Sequence, residues 1–207
     1  MRSAPLPLLT VLALACAAPA PRPPAPEPIR SYQEVLRASF KARGQAGLDR
    51  LDQDPVQAAC SRPPSDGPLP EDAAAKLVAA QQATLVYPAD GVLMGDWKKG
   101  EAIAQSGVGM QFSDDPKRPS GGNCYACHQL SAKEVAFGTL GPSLYQYGKM
   151  RGQSEAMQRY TYGRIYNPQG FAPCSSMPRF GHQKILTPEQ IKDVVALLLD
   201  PGSPVNQ

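Results

Sequence analysis

Apolar positions recur at helical spacing in four stretches of the chain, and no alternating run is long enough to argue for a sheet. Residues 31–43 (SYQEVLRASFKAR) set Tyr32, Val35, Leu36 and Phe40 near that spacing, and Ser31 with Glu34 makes a capping box. A second helix is predicted from Glu71 to about Leu85, following Pro70 and ending before Tyr87-Pro88. Between these two the pattern lapses into a loop that holds Cys60 and the run RPPSDGP at 62–68. Asp96 can cap a third helix, Trp97–Ser106, whose Gly100 and Ala104 leave room for a neighbouring helix to come close. The fourth begins at Thr187-Pro188-Glu189-Gln190, an N-cap followed by proline at the first helical position and glutamine at the third. Ile191, Val194, Val195, Leu198 and Leu199 line one of its faces, and Asp200-Pro201-Gly202 stops it. The third and fourth helices are natural packing partners. An all-α fold with one principal core is therefore expected of 207 residues.

The start of the chain follows another pattern. Met1-Arg2 and the apolar run Leu6–Ala18 read as the charged and hydrophobic parts of a secretion signal, too short to span a bilayer as a mature helix. Ala13 and Ala15 suit cleavage just before Cys16, which gives a leader over 1–15. Leu14-Ala15-Cys16 also resembles the end of a bacterial lipoprotein signal, with Ala13 where that signal usually has leucine. Simple secretion to the periplasm is the preferred expectation, and membrane anchoring follows only if Cys16 is lipidated. From 16 to 30 the chain is a proline-rich spacer whose core, PAPRPPAPEP, suits a semi-rigid polyproline II segment. The division expected after it is a helical extension over 31–92 and a main domain over 93–203. Composition adds one exclusion. With 42% apolar and 19% charged residues the chain is globular, and a formal charge of +3 is too small for a nucleic-acid binder.

The chemistry lies in Gly121-Gly122-Asn123-Cys124-Tyr125-Ala126-Cys127-His128. Two thiols three residues apart, on a turn entering a helix, can each add to one haem vinyl group, and the adjacent His128 then points at the iron. Five cysteines and two histidines would fall into this C-x-x-C-H pattern roughly once in a thousand shufflings. A zinc site would want a fourth ligand and usually a second pair, and a redox dithiol would usually lie near a strand; neither context is present in the sequence. One covalent haem c is the expected cofactor.

A sixth iron ligand is sought among Met94, Met110, Met150, Met157, Met177 and His182. Met177 is preferred, because it lies in a proline-stiffened loop, Phe171 to Phe180, just before the C-terminal helix, where a small cytochrome c brings its methionine over the haem. His182 is expected at the surface. The turn Gly138-Thr139-Leu140-Gly141-Pro142-Ser143-Leu144 follows His128 at the distance where small cytochromes c have Gly-Pro-x-Leu. The Pro142 carbonyl is the candidate acceptor for the second ring N–H of His128, the alternative being an ordinary turn. In an oxidising compartment the remaining Cys60 and Cys174 suggest a disulfide, with two buried thiols as the alternative. Closing so long a loop would contribute about 4 to 5 kcal/mol in the chain-entropy model. Lys149, Arg151, Arg159, Arg164, Arg179 and Lys184 face only Glu155 in the same stretch, a basic rim that is either solvated, paired with haem propionates, or able to steer an acidic partner.

Together these motifs resemble one family closely, the X subunit of the SoxAX thiosulfate-oxidising cytochrome complex. The resemblance runs from about Cys60 to Asn206 and is carried by Tyr87-Pro88-Ala89-Asp90-Gly91, by Gly95-Asp96-Trp97-Lys98-Lys99-Gly100-Glu101 and by the haem motif. Gly141-Pro142-Ser143-Leu144, Cys174-Ser175-Ser176-Met177-Pro178-Arg179-Phe180-Gly181 and the ending Asp200-Pro201-Gly202-Ser203-Pro204-Val205-Asn206 complete it. It implies a small class I cytochrome c fold around one haem, attached through Cys124 and Cys127 and ligated by His128 and Met177. It further implies a heterodimer with a SoxA-like haem subunit, acting as an L-cysteine S-thiosulfotransferase that joins thiosulfate oxidatively to a cysteine of a SoxYZ-like carrier protein. Sulfur chemistry in that family belongs to the partner, and the X subunit passes electrons to a soluble cytochrome c. The proline spacer and the lipoprotein-like signal depart from the family pattern. A free-standing electron carrier is the alternative, against which the extension over 31–92 argues; a gas-binding cytochrome is disfavoured by a filled sixth position. No Ser/His/Asp set or phosphate loop suggests catalysis by this chain alone.

Overall fold

A computed structural model describes residues 31–207; the expected leader, the spacer and Cys16 lie outside the described residues. Among these residues seven α-helices follow one another: α1 Tyr32–Ser39, α2 Pro55–Cys60, α3 Glu71–Gln82, α4 Trp97–Gln105, α5 Tyr147–Arg151, α6 Glu155–Tyr166 and α7 Pro188–Leu199, with short 3₁₀ turns in some of the connections. Among the described residues β pairing is limited to an isolated bridge between Arg43 and Ala46.

The core forms where α4 crosses α7. Gly100 is packed so tightly against α7 that a Cβ there would come within 2.1 Å of the Asp193 carbonyl, and Ala104 is fully buried. Asp193 returns the contact, since its carboxylate accepts from the Asp96 backbone N–H at 2.8 Å while the Gly95 N–H donates to the Lys192 carbonyl at 3.0 Å. Thr187 caps α7 in a full capping box with Gln190, as its sequence predicts. Its burial exceeds the one-face expectation. Ala196 and Leu197 are buried along with Ile191, Val194, Val195, Leu198 and Leu199, because α4 covers one side while α5, α6 and the C-terminal residues cover the others.

The C-terminal residues lock this arrangement. Asn206 donates to the Leu198 and Asp200 carbonyls at the end of α7, and its own side-chain oxygen accepts from the Gly148 N–H in α5 at 2.8 Å. Carbonyls at one helix end and an amide at another are bound by one buried side chain.

Three helices, α2, α5 and α6, lie outside the four expected. The stretch between the first and second helices contains α2, capped by Asp54 and Gln57 with Pro55 at its start. α6 was hidden because its buried residues are Thr161, Tyr162, Gly163 and Ile165, which make no apolar stripe. The first two expected helices also end early, at Ser39 and Gln82.

Candidate functional site

Cys124, Tyr125 and Ala126 form a 3₁₀ turn seated on the end of α4. The Gly122 N–H donates to the Ile103 carbonyl at 2.9 Å and the Asn123 N–H to the Ser106 carbonyl at 2.9 Å, so the turn is hung from the last residues of α4 and the residue after them. Gly121 is required there, as a Cβ would meet the Ser106 carbonyl at 2.1 Å. The expected helix entry is thus a single tight turn, closed by donation from the Cys127 and His128 N–H groups to the Cys124 carbonyl. Cys124 and Cys127 stand outside the disulfide, and burial pushes the Cys124 thiol up to about 12.

Residues 138–144 wrap this turn. The Gly138 N–H donates to the Tyr125 carbonyl, Gly141 to Cys127 and Leu144 to Gln129, all at 2.7–2.8 Å. That places the His128 Nδ1 2.7 Å from the Pro142 carbonyl oxygen. A carbonyl only accepts, so Nδ1 carries the hydrogen and Nε2 keeps its lone pair for a metal. Gly141 makes the approach possible: a Cβ would fall 2.2–2.7 Å from three atoms of the His128 ring.

Met177 is half-buried and packs, like Cys124, against the apolar core that includes Leu130, Phe180 and Leu186. Its N–H donates to Ser175 Oγ at 3.3 Å, and Gln169 Nε2 donates to the Ser175 carbonyl at 2.9 Å. Met157 is engaged by the Tyr147 hydroxyl at 3.7 Å, and Met150 is exposed. The disulfide joins Cys60 at the end of α2 to Cys174, with the two Cα atoms 5.3 Å apart.

Sequence reasoning missed the role of Arg179. Placed there in a basic rim, it is buried, and its guanidinium pairs with Asp54 at 2.5 Å. Asp54 is held below the usual carboxylate range: burial opposes this, and the Gln57 N–H and the Arg179 guanidinium outweigh it. The available signal was Asp54-Pro55-Val56-Gln57, the same cap pattern as Thr187-Pro188-Glu189-Gln190. The rest of the rim is also dispersed, with Arg159 over the Tyr87 ring, Arg164 over Phe171 and Arg151 over Tyr147. His182 is half-buried rather than free at the surface, and burial together with Arg179 lowers its pKa against the opposing pull of Asp54.

The donor set fits a covalent haem. Two unbonded thiols sit on one turn, and the neighbouring imidazole is fixed in the tautomer that leaves Nε2 available. Between the thiols, Tyr125 has a buried hydroxyl that finds no partner among the described residues. No cluster of three or more His, Cys, Asp or Glu capable of holding a metal ion occurs among the described residues, so a tetrahedral zinc site lacks its ligands.

A family model described as cytochrome c matches residues 113–200. A protein of Aquifex aeolicus (strain VF5), described as an uncharacterized lipoprotein, is 45% identical over 156 residues, which cover 75% of this chain and 73% of that one. Among solved structures, the crystal structure of SoxXA from P. pantotrophus is similar with 24% identity and a TM-score of 0.37, covering 57% of this chain and 94% of the other.

Proposed function

This chain belongs to the same family as the Aquifex aeolicus lipoprotein and has a class I cytochrome c fold with covalently attached haem c, and from that premise we propose that it is the electron-accepting subunit of a thiosulfate-conjugating complex outside the cytoplasm. The observation that carries the electron-transfer part is the His128 ring, fixed by the Pro142 carbonyl beside two free thiols. Cys124 and Cys127 would form the thioether links, and His128 and Met177 would ligate the iron. Haem c held in this way supplies a one-electron centre whose potential a thioether ligand raises. The protein's own contribution is to fix the imidazole tautomer and to surround the site with apolar side chains that exclude water.

The finer assignment is supported by the motifs of the SoxAX family set out above. Joining thiosulfate to a cysteine thiolate forms a sulfur–sulfur bond and releases two electrons, which a haem subunit can receive one at a time. In this reading a SoxA-like subunit performs the sulfur chemistry on a SoxYZ-like carrier, this chain forms a heterodimer with it, and a soluble cytochrome c is the acceptor. Export is supported by the secretion signal over 1–15. Among the described residues no helix is long and apolar enough to cross a membrane. The lipoprotein name of the Aquifex relative supports lipidation of Cys16, which would leave residues 19–28 as a tether.

The test is to express the full chain in export-competent cells with and without the candidate haem partner. Thiosulfate and the carrier protein together should reduce this haem only when the partner is present. Reduction without any partner, or monomeric behaviour beside it, would instead make the chain a free-standing carrier.

A further inference from the structure

Met177 is held from both sides by one short helix. Three residues before it, Cys174 is bonded to Cys60, the last residue of α2. Two residues after it, Arg179 pairs with Asp54, whose carboxylate also caps the start of α2 by accepting from the Gln57 N–H at 2.9 Å. The two ends of a six-residue helix therefore grip the two ends of the loop. Val56, only 1% exposed, seats the helix between them.

One grip is an ion pair to a buried arginine and the other is a covalent bond. Arg179 is 6% exposed, and its other terminal nitrogen reaches Gln81 Oε1 at 3.5 Å, so removing Asp54 would leave a cation out of water without its counter-charge. Cys174 has φ of +61°, a left-handed conformation that a non-glycine residue keeps only when its surroundings over-determine it. Inside the loop the bonds are local, through Ser175 and Gln169.

A methionine thioether is a neutral ligand on a flexible side chain, so its hold on iron depends on how firmly its backbone is placed. We infer that α2 is a brace for the sixth-ligand loop: Asp54–Arg179 and Cys60–Cys174 are positioning contacts that keep the Met177 sulfur from being displaced by outside ligands. The inference rests on the reading of Met177 as iron ligand made above. It also gives α2, within the extension, a task inside the chain, independent of any partner.

The test uses the haem-loaded full chain and measures the weak red absorption band of a methionine-ligated ferric haem, the binding of imidazole to the ferric form and of carbon monoxide to the ferrous form, and the unfolding midpoint. Asp54→Asn should raise the imidazole-binding rate roughly tenfold, less than the full effect of breaking a buried pair because the Asp54 side chain is partly exposed. The Cys60→Ala/Cys174→Ala pair should act in the same direction, with a lower reduction potential. Asp54→Glu should restore much of the exclusion, and Arg37→Ala, which breaks the exposed Arg37–Asp52 pair, should change nothing. Unchanged ligand binding in both brace variants, even with a lower unfolding midpoint, would overturn the inference. Met177→Leu separates the two levels: if it abolishes the red band, a silent brace sinks only the brace, and if the band survives, the ligand assignment and the brace fall together.

Discussion

α1 and α7 begin alike and end up in opposite surroundings. Each opens with a complete capping box, Ser31 with Glu34 and Thr187 with Gln190, and each carries apolar residues at helical spacing. Yet α7 buries seven of its twelve residues while α1 buries none, with Tyr32 72% and Val35 47% exposed. A cap decides where a helix starts because it satisfies the first free amides locally. Burial is decided by what lies opposite. α7 meets Gly100 and Ala104, two positions small enough to admit its backbone, whereas the described residues offer α1 no comparable seat. Helix formation and core membership are therefore separate properties.

The contrast is broken most directly by truncating one apolar residue in each helix. Leu197→Ala should cost about 3 kcal/mol of unfolding free energy in urea denaturation of the haem-loaded protein, as a fully buried leucine leaves a cavity. Val35→Ala should stay within about 0.5 kcal/mol. An equal cost at Val35 would mean that α1 rests on something in solution and would erase the difference.

Removing the caps gives a smaller effect. Thr187→Ala should lower global stability by about 1 kcal/mol, since fraying of α7 spreads into the core. Ser31→Ala should leave the global midpoint in place and speed amide exchange only within Tyr32–Ser39. A shift of the whole transition by Ser31→Ala would show that α1 unfolds with the core.

The smallest expected difference is in acid. Glu34 is held below its usual range by the Ser31 N–H and then by the Ser31 hydroxyl, while the equivalent Gln190 does not titrate. A carboxylate with a lowered folded pKa contributes stability that is complete above its unfolded value of 4.5 and is lost as pH falls through the lowered one. The start of α1 should loosen in that window and that of α7 should not, as followed by amide shifts of Glu34 and Gln190. Glu34→Gln should remove the dependence; its persistence would assign the effect to another group.

Legibility followed the distance over which each feature is encoded. Cys124, Cys127 and His128 are contiguous, and α4 and α7 announce themselves through Asp96 and Thr187, so one window of sequence contains the signal. α2 was equally well marked by Asp54, Pro55 and Gln57, but buries only Val56 and sits beside a proline-rich run that reads as loop. α6 gave no periodic signal because tyrosine, threonine and glycine fill its buried face. Arg179 read as one more surface cation, since a lone arginine in a sequence carries no mark of the carboxylate that buries it.

By itself the sequence determined the chemistry of the haem turn, the helix starts and the packing of a glycine-bearing helix on an aliphatic one, because each depends on residues within a few positions or on residue size alone. The sequence offered Pro142 for His128 and Cys60 for Cys174, each beside an alternative that the tertiary structure removed. Only the tertiary structure decided that Asp54 would meet Arg179 across 125 residues and that α1 would remain uncovered. Such pairings depend on where the folded chain brings distant segments, and an individual side chain has the same formula whether its partner is a neighbour, a remote residue or water.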